Sequence, residues 1–357
     1  MRYLDIGSPK KISKIGLGTW QFGSEEWGYG EAYSEHAAYA IVRRAVELGV
    51  TLFDTAEIYG AGNSERILGR ALGKDRESVF IADKKFPLAP GIPPVKWSAK
   101  ASANRLGVSQ LDLYQVHYPN PIVSDRMLMR SMRSLQQAGL VGEVGVSNYS
   151  VARWRAAENA LHGRVLSNQV EYSLVHRIAE HDLLPFAESD GRMIIAFSPL
   201  GQGLLSGRYD ETNRPENRVR ASSSRFSMDS MERAKPLIAV LREVAEAHSA
   251  TPAQVALAWV IQHPVVAAIP GASSVEQLEG NVAAAEIQLA DDEYQALQTA
   301  SAWSCHVGAP TASLRRKLSD LKHSASAGPY LARTLWHDYR LKHGLVDDTR
   351  NKESDTA

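Results

Sequence analysis

The chain has a single cysteine, Cys305, among its 357 residues, so no disulfide can form within it. Its fold must stand on an apolar core, and this cysteine usage suits a reducing compartment. Net charge is missing too, since 40 Lys and Arg balance 40 Asp and Glu. Nucleic acid and anionic membrane surfaces therefore find no global field to attract them. Long apolar runs are absent. The most apolar stretch, 253–261, is far shorter than the roughly 20 residues of a bilayer crossing, and residues 1–14 lack the apolar centre of a signal peptide. We expect a cytoplasmic protein. Paired histidines and Cys/His ligand spacings are also lacking: His36, His162, His176 and His181 are single and scattered, and no metal is expected.

What the chain does have is alternation. Tyr3, Leu4 and Ile6 precede Gly7-Ser8-Pro9 and Ile12, the pattern of a small hairpin. Eight strand-like runs follow, at 15–17, 50–53, 79–82, 111–116, 141–146, 166–170, 193–197 and 265–269. Helical periodicity falls between them at 34–48, 64–72, 96–106, 125–138, 150–161, 179–189 and 251–262, with a last stretch at 275–284. Eight β/α units in strict alternation predict an α/β fold, a closed parallel (β/α)8 barrel occupying residues 1–302. Residues 201–231, rich in Gly, Ser and Arg, read as a long loop of the kind that serves a ligand. Residues 303–357 read as a C-terminal extension with helical patterns at 312–321 and 330–342 and a polar, disordered end from Asp347.

The stretch Thr51-Leu52-Phe53-Asp54-Thr55-Ala56-Glu57-Ile58-Tyr59-Gly60 runs from a short apolar strand into a carboxylate and then a phenol. The next two strands end in Asp83-Lys84 and in His117. In a barrel those ends converge on one mouth, so Asp54, Tyr59, Lys84 and His117 can meet although distant in sequence. A nearby ammonium favours a phenolate, which makes Lys84 a candidate to lower the Tyr59 pKa, with Asp54 holding Lys84 ionised and His117 orienting a carbonyl oxygen. The bland alternative is a turn-capping Asp54 and a packing Tyr59.

These residues resemble the aldo-keto reductases. The resemblance covers about residues 15–300 and rests on Gly16-Leu17-Gly18-Thr19-Trp20, the stretch from Phe53 to Gly60, Leu113-Tyr114-Gln115-Val116-His117, Gly145-Val146-Ser147-Asn148, Asn168-Gln169-Val170-Glu171-Tyr172, Ser198-Pro199-Leu200-Gly201 and Ile269-Pro270-Gly271-Ala272. Each piece ends a predicted strand. The resemblance implies hydride transfer from a reduced nicotinamide to the carbonyl carbon of an aldehyde or ketone, apolar or sugar-like, with Tyr59 as the acid. It implies Lys84 rather than Lys85, because the family lysine falls two residues after the position of Ala82. Asp83 departs from the small hydroxyl residue common there and is a possible competitor for Lys84.

For the cofactor, the resemblance puts Ser147, Asn148 and Gln169 on the nicotinamide carboxamide and Phe197 on its ring. Thr19 and Trp20 fall near that end. Ser198, Pro199, Leu200, Gly201, Gly203 and Leu204 would wrap the pyrophosphate, and Gly271, Ser273, Gln277 and Asn281 the adenosine. The family commonly has a lysine or arginine for a 2′-phosphate near Ser273, and this chain has none between Gly271 and Asn281. Arg208, Arg214, Arg218, Arg220 and Arg225 are substitutes in the loop after the seventh strand. The expectation is NADP(H), with NAD(H) as the alternative. Candidate substrate contacts are Trp20, Gln21, Phe22, residues 25–29, Tyr118, Tyr149 and the C-terminal tail. Similarity to potassium-channel β subunits keeps a second function open, a cofactor-binding redox sensor with little turnover. Oligomeric state is not readable from the sequence.

Overall fold

The computed structural model describes residues 1–8, 10–24, 29–30, 34–86, 95–120, 123–216, 218–221 and 223–305. Two short strands, β1 (Tyr3–Leu4) and β2 (Ile12–Ser13), pair antiparallel as the expected hairpin. Eight parallel strands follow: β3 (Leu17–Gly18), β4 (Leu52–Asp54), β5 (Phe80–Lys85), β6 (Leu111–Val116), β7 (Val141–Ser147), β8 (Ser167–Glu171), β9 (Met193–Phe197) and β10 (Val266–Ala268). Each pairs with the next in chain order. The two ends of the sheet also meet, since Gly16 N donates to Ala268 O (2.8 Å), Ala268 N to Lys14 O (2.8 Å) and Gly18 N to Pro270 O (3.2 Å). The sheet thereby curls round into a (β/α)8 barrel. A Cβ on Gly18 would lie 2.7 Å from the Ile269 carbonyl oxygen, so the seam needs a glycine.

Helices cover the outside. α1 (Glu35–Glu47), α2 (Asn63–Leu72), α3 (Val95–Leu106), α4 (Asp125–Gln137), α5 (Val151–Leu161) and α6 (Leu183–Glu188) separate consecutive strands from β3 to β9. Between β9 and β10 lie α7 (Arg218–Ala221), α8 (Met228–Ala247) and α9 (Pro252–Gln262), and after β10 come α10 (Val275–Ala283) and α11 (Asp291–Ala300). Helix starts follow local chemistry. Ser34 caps α1 by accepting from Ala37 N, and Thr251 and Gln254 form a capping box with Pro252 in the first turn of α9.

Several elements differ from the sequence reading, which did not include α7 or α11. The long loop is shorter than expected, because α8 begins at Met228; its buried stripe of Met231, Ala234, Leu237, Leu241 and Val244 is helical, though Pro236 interrupts the pattern. β5 runs on to Lys85, past the apolar residues, because Asp83, Lys84 and Lys85 are all buried and pair with β6. α6 starts only at Leu183, after a single tight turn at Ile178–Glu180. The expected helices at 312–321 and 330–342 and the polar end lie outside the described residues.

Side chains on the strands alternate between the lumen and the helical layer. Leu52, Phe80, Ala82, Leu113, Met193, Ile195 and Ala267 form an apolar lumen cluster, which Leu4, Ile6 and Ile12 of the hairpin join. Further along the same strands the inward positions become polar: Asp54, Lys84, Gln115, Ser147 and Gln169. The apolar floor offers these groups no polar partner, so they bond one another and the backbone and side chains at the mouth end.

Candidate active site

Lys84 Nζ is the hub of that polar layer. It donates to Asp54 Oδ1 (2.6 Å), to the Thr55 carbonyl (2.8 Å) and to Tyr59 Oη (3.3 Å). Lys84 is wholly buried and Asp54 nearly so. The other Asp54 oxygen accepts from Gln169 Nε2 (2.7 Å), which ties the group to β8 across the lumen. Tyr59 sits at the start of a tight turn after β4, where Gly60 has φ +52° and a Cβ would lie 2.5 Å from the Gly23 carbonyl oxygen. The turn therefore packs backbone to backbone and aims the phenol at Lys84. His117 follows β6 and meets the Tyr59 ring edge-on at 5.7 Å, with Tyr118 stacked behind it at 4.8 Å. Trp20, 41% exposed, stacks at 6.1 Å on Tyr59 and forms a wall of the mouth.

The electrostatics depart from the sequence expectation. Burial, followed by the charges of Asp54 and Asp83, pushes the Tyr59 phenol well above its ordinary value. Asp54 lies so close to Lys84 that the pair presents little net charge to the phenol, and the lowering expected from the ammonium is outweighed. Burial also raises Asp54, against the opposing pull of Lys84 and Gln169. Asp83 does not compete for Lys84. Alternation turns it to the outer face of β5, where neither carboxyl oxygen has a hydrogen-bond partner among the described residues. Burial and the charge of Glu65 push its pKa well up.

The cofactor candidates line the same end of the barrel. Ser147 Oγ donates to the Gln169 carbonyl (2.8 Å) and Asn148 Nδ2 to Ser147 Oγ (3.0 Å), so the three residues are linked to one another and, through Gln169, to Asp54. Thr19 is buried with its hydroxyl on the Asp54 carbonyl (2.9 Å) and on Ser64 (2.7 Å), which spends it on scaffold. Phe197 is half-buried at the end of β9. The turn from Ser198 through Pro199 and Leu200 to Leu204 is left-handed at Ser198 (φ 49°), Gly201 (57°), Gln202 (59°) and Gly203 (103°). At the start of α10, Ser273 N and Oγ both donate to Gln277 Oε1 (2.9 and 3.1 Å), while Asn281 Nδ2 donates to the Gly271 carbonyl (3.3 Å). Among the loop arginines, Arg220 Nε donates to the Gln202 carbonyl (3.0 Å), and Arg225 pairs with Glu171.

Two substrate candidates are elsewhere. Tyr149 is buried against α4 and α5, its hydroxyl on Asp125 (2.6 Å) and the Arg153 guanidinium over its ring, and Phe22 is in the core. Residues 25–28 lie outside the described residues. Sequence reasoning gave no role to Glu57, whose buried carboxylate joins Lys85 and Phe86 N behind the site. Its place in the Asp54-to-Tyr59 stretch was the only available signal. Among the described residues no three His, Cys, Asp or Glu side chains are grouped to hold a metal ion, and no helix is long and apolar enough to cross a membrane.

A barrel with a buried, hydrogen-bonded Asp–Lys–Tyr cluster at its strand ends narrows the class of protein, and comparison with known proteins identifies it as that of an oxidoreductase family. Residues 14–302 match the aldo/keto reductase family, and the chain belongs to that family. An uncharacterized oxidoreductase of Mycobacterium tuberculosis is 56% identical over 301 residues, 84% of this chain and 93% of that one. Methylglyoxal reductase YeaE of Escherichia coli is 32% identical over 300 residues, 84% of this chain and 94% of its own. Among solved structures, an aldo/keto reductase from Klebsiella pneumoniae in complex with NADP and acetate is 29% identical with a TM-score of 0.66, covering 83% of this chain and 94% of that one. The glycerol dehydrogenase of Gluconobacter oxydans is 26% identical with a TM-score of 0.76, over 87% of this chain and 97% of its own.

Proposed function

We propose that the protein reduces an aldehyde or ketone to an alcohol with NADP(H), in the cytoplasm, and that Tyr59 is the proton donor. The barrel would end near residue 302, with the remainder an extension. The observation that carries the reading is the bridge of Lys84 Nζ between Asp54 Oδ1 (2.6 Å) and Tyr59 Oη (3.3 Å).

Several features support a dinucleotide at this mouth. Ser147, Asn148 and Gln169 offer neutral donors and acceptors suited to a carboxamide. The turn from Ser198 to Gly203 is left-handed at four residues and folds tightly on itself, Gly201 N on the Ser198 carbonyl (2.9 Å) and Gly203 N on the Leu200 carbonyl (3.0 Å), and Gln202 Oε1 is buried within it without a partner among the described residues. The reduced nicotinamide, when bound, supplies the hydride for the carbonyl carbon. The chain's own residues do the rest. His117 orients the carbonyl oxygen, and Tyr59 Oη gives it a proton. The phenolate left behind accepts from Lys84 Nζ, which Asp54 holds in place. Burial holds the phenol above its ordinary pKa, which by itself makes it a weaker acid, so donation depends on the stabilisation that Lys84 Nζ gives the phenolate as the proton leaves. A small oxoaldehyde, the substrate class named for the Escherichia coli relative, heads the panel to try.

The test is steady-state oxidation of NADPH and NADH with small aldehydes and ketones. Tyr59→Phe is expected to lower kcat/KM about 10²- to 10⁴-fold and leave the cofactor Kd within about twofold. Full turnover by that variant rules Tyr59 out as the acid.

A further inference from the structure

Beyond its backbone ladder and Lys84, the loop that carries Tyr59 is tied to the end of β5 by a carboxylate. Thr55 N and Glu57 N continue the ladder to the Ala82 and Lys84 carbonyls (2.9 and 3.4 Å). Tyr59 N turns back to the Ala56 carbonyl instead, so the phenol's own residue has no backbone bond to β5. Glu57 Oε1 secures this point. It accepts from Lys85 Nζ (3.0 Å) and from Phe86 N (2.7 Å), with both side chains of the ion pair at most 6% exposed. Each partner also reaches the site. Lys85 follows Lys84 directly, its carbonyl accepts from His117 N (2.9 Å), and the Phe86 ring meets His117 edge-on at 5.9 Å.

Two adjacent lysines thus serve opposite faces of one strand. Alternation sends Lys84 into the lumen and Lys85 to the outer layer, so neither can replace the other. A buried ion pair is a poor source of net stability beside an apolar replacement, but it is directional and sensitive to register. We infer that Glu57 and Lys85 are positioning residues that hold the Tyr59 turn and the end of β5 in register, keeping the phenol within reach of Lys84 and His117. The inference rests on the reading of Tyr59 as proton donor.

The experiment is a double-mutant cycle between Glu57 and Tyr59 in the full chain. Glu57→Gln keeps an acceptor for Phe86 N and removes the charge that fixes Lys85. It is expected to lower kcat about 10- to 100-fold with KM for the carbonyl within about threefold, as a misplaced reacting group does. The same change in a Tyr59→Phe background is expected to cost less than about threefold, because the group being positioned is already gone. Lys85→Met should resemble Glu57→Gln, and Lys85→Arg, which keeps the pair, should retain at least about a third of wild-type kcat. A crystal structure of Glu57→Gln gives a readout that needs no turnover: Tyr59 Oη should leave hydrogen-bond distance of Lys84 Nζ. Equal losses in both backgrounds, unchanged kcat, or an unmoved Tyr59 overturn the positioning role while leaving the proton donor intact. Full activity of Tyr59→Phe alone overturns both.

Discussion

Asp83 is the residue at which local chemistry and burial disagree most. It sits in the helical layer behind Lys84, near the Glu65–Arg105 pair (2.5 Å), with neither oxygen hydrogen-bonded among the described residues. Its folded pKa is raised, so the native state keeps this proton to higher pH than the unfolded chain does. Between the unfolded value, about 4, and the raised folded value, stability falls as pH rises. Above that window the whole penalty of a buried charge is present. Asp83→Asn is neutral at every pH and nearly isosteric. Chemical denaturation at about pH 8 should find it more stable than wild type by about 1–3 kcal/mol, with the difference vanishing near pH 3. An unchanged difference across pH would mean that this carboxyl titrates normally. The sequence marked Asp83 as unusual and as a competitor for Lys84 but gave it no face, because the strand was taken to stop at Ala82.

The junction of β10 with α10 has its own charge pattern. From Gly271 to Asn281 there is no cation, and Glu276 and Glu279 add negative charge. Ser273 and Gln277 satisfy each other, while Arg44 is engaged by Glu279 (2.7 Å). A 2′-phosphate at this junction, where the family resemblance puts it, would meet neutral donors only. The preference for NADPH over NADH is therefore expected to be small. Gln277→Arg should raise it about tenfold by adding a charge-assisted bond, read as the ratio of the two cofactor dissociation constants in a fluorescence titration. A strong native preference for NADPH would point to a cation from another element. Most helices and strands were legible at this scale, since apolar periodicity and capping residues such as Ser34 and Thr251 are local properties. α8 was not, because Pro236 breaks its pattern and a Gly- and Arg-rich segment precedes it.

Closure of the barrel belongs to the whole molecule. The seam between β3 and β10 brings backbone to backbone at Gly18, where a Cβ would meet the Ile269 carbonyl oxygen at 2.7 Å. Gly18→Ala should destabilise the fold by about 1–3 kcal/mol, seen as a lower thermal midpoint, since the seam shifts only if both strands move. A full-strength melt would show that the seam is looser than its geometry. The sequence by itself determined the eightfold alternation, the hairpin before it and the identity of Asp54, Tyr59, Lys84 and His117 as strand-end groups. Those follow from periodicity and from residue types near one another in the chain. Only the tertiary structure decided that Lys84 faces the lumen while Asp83 and Lys85 face the helices, that Gln169 reaches Asp54 across the barrel, and that Tyr149 turns away from the mouth. Those depend on strand register and on which charges find partners once water is excluded, and both are set between segments far apart in sequence.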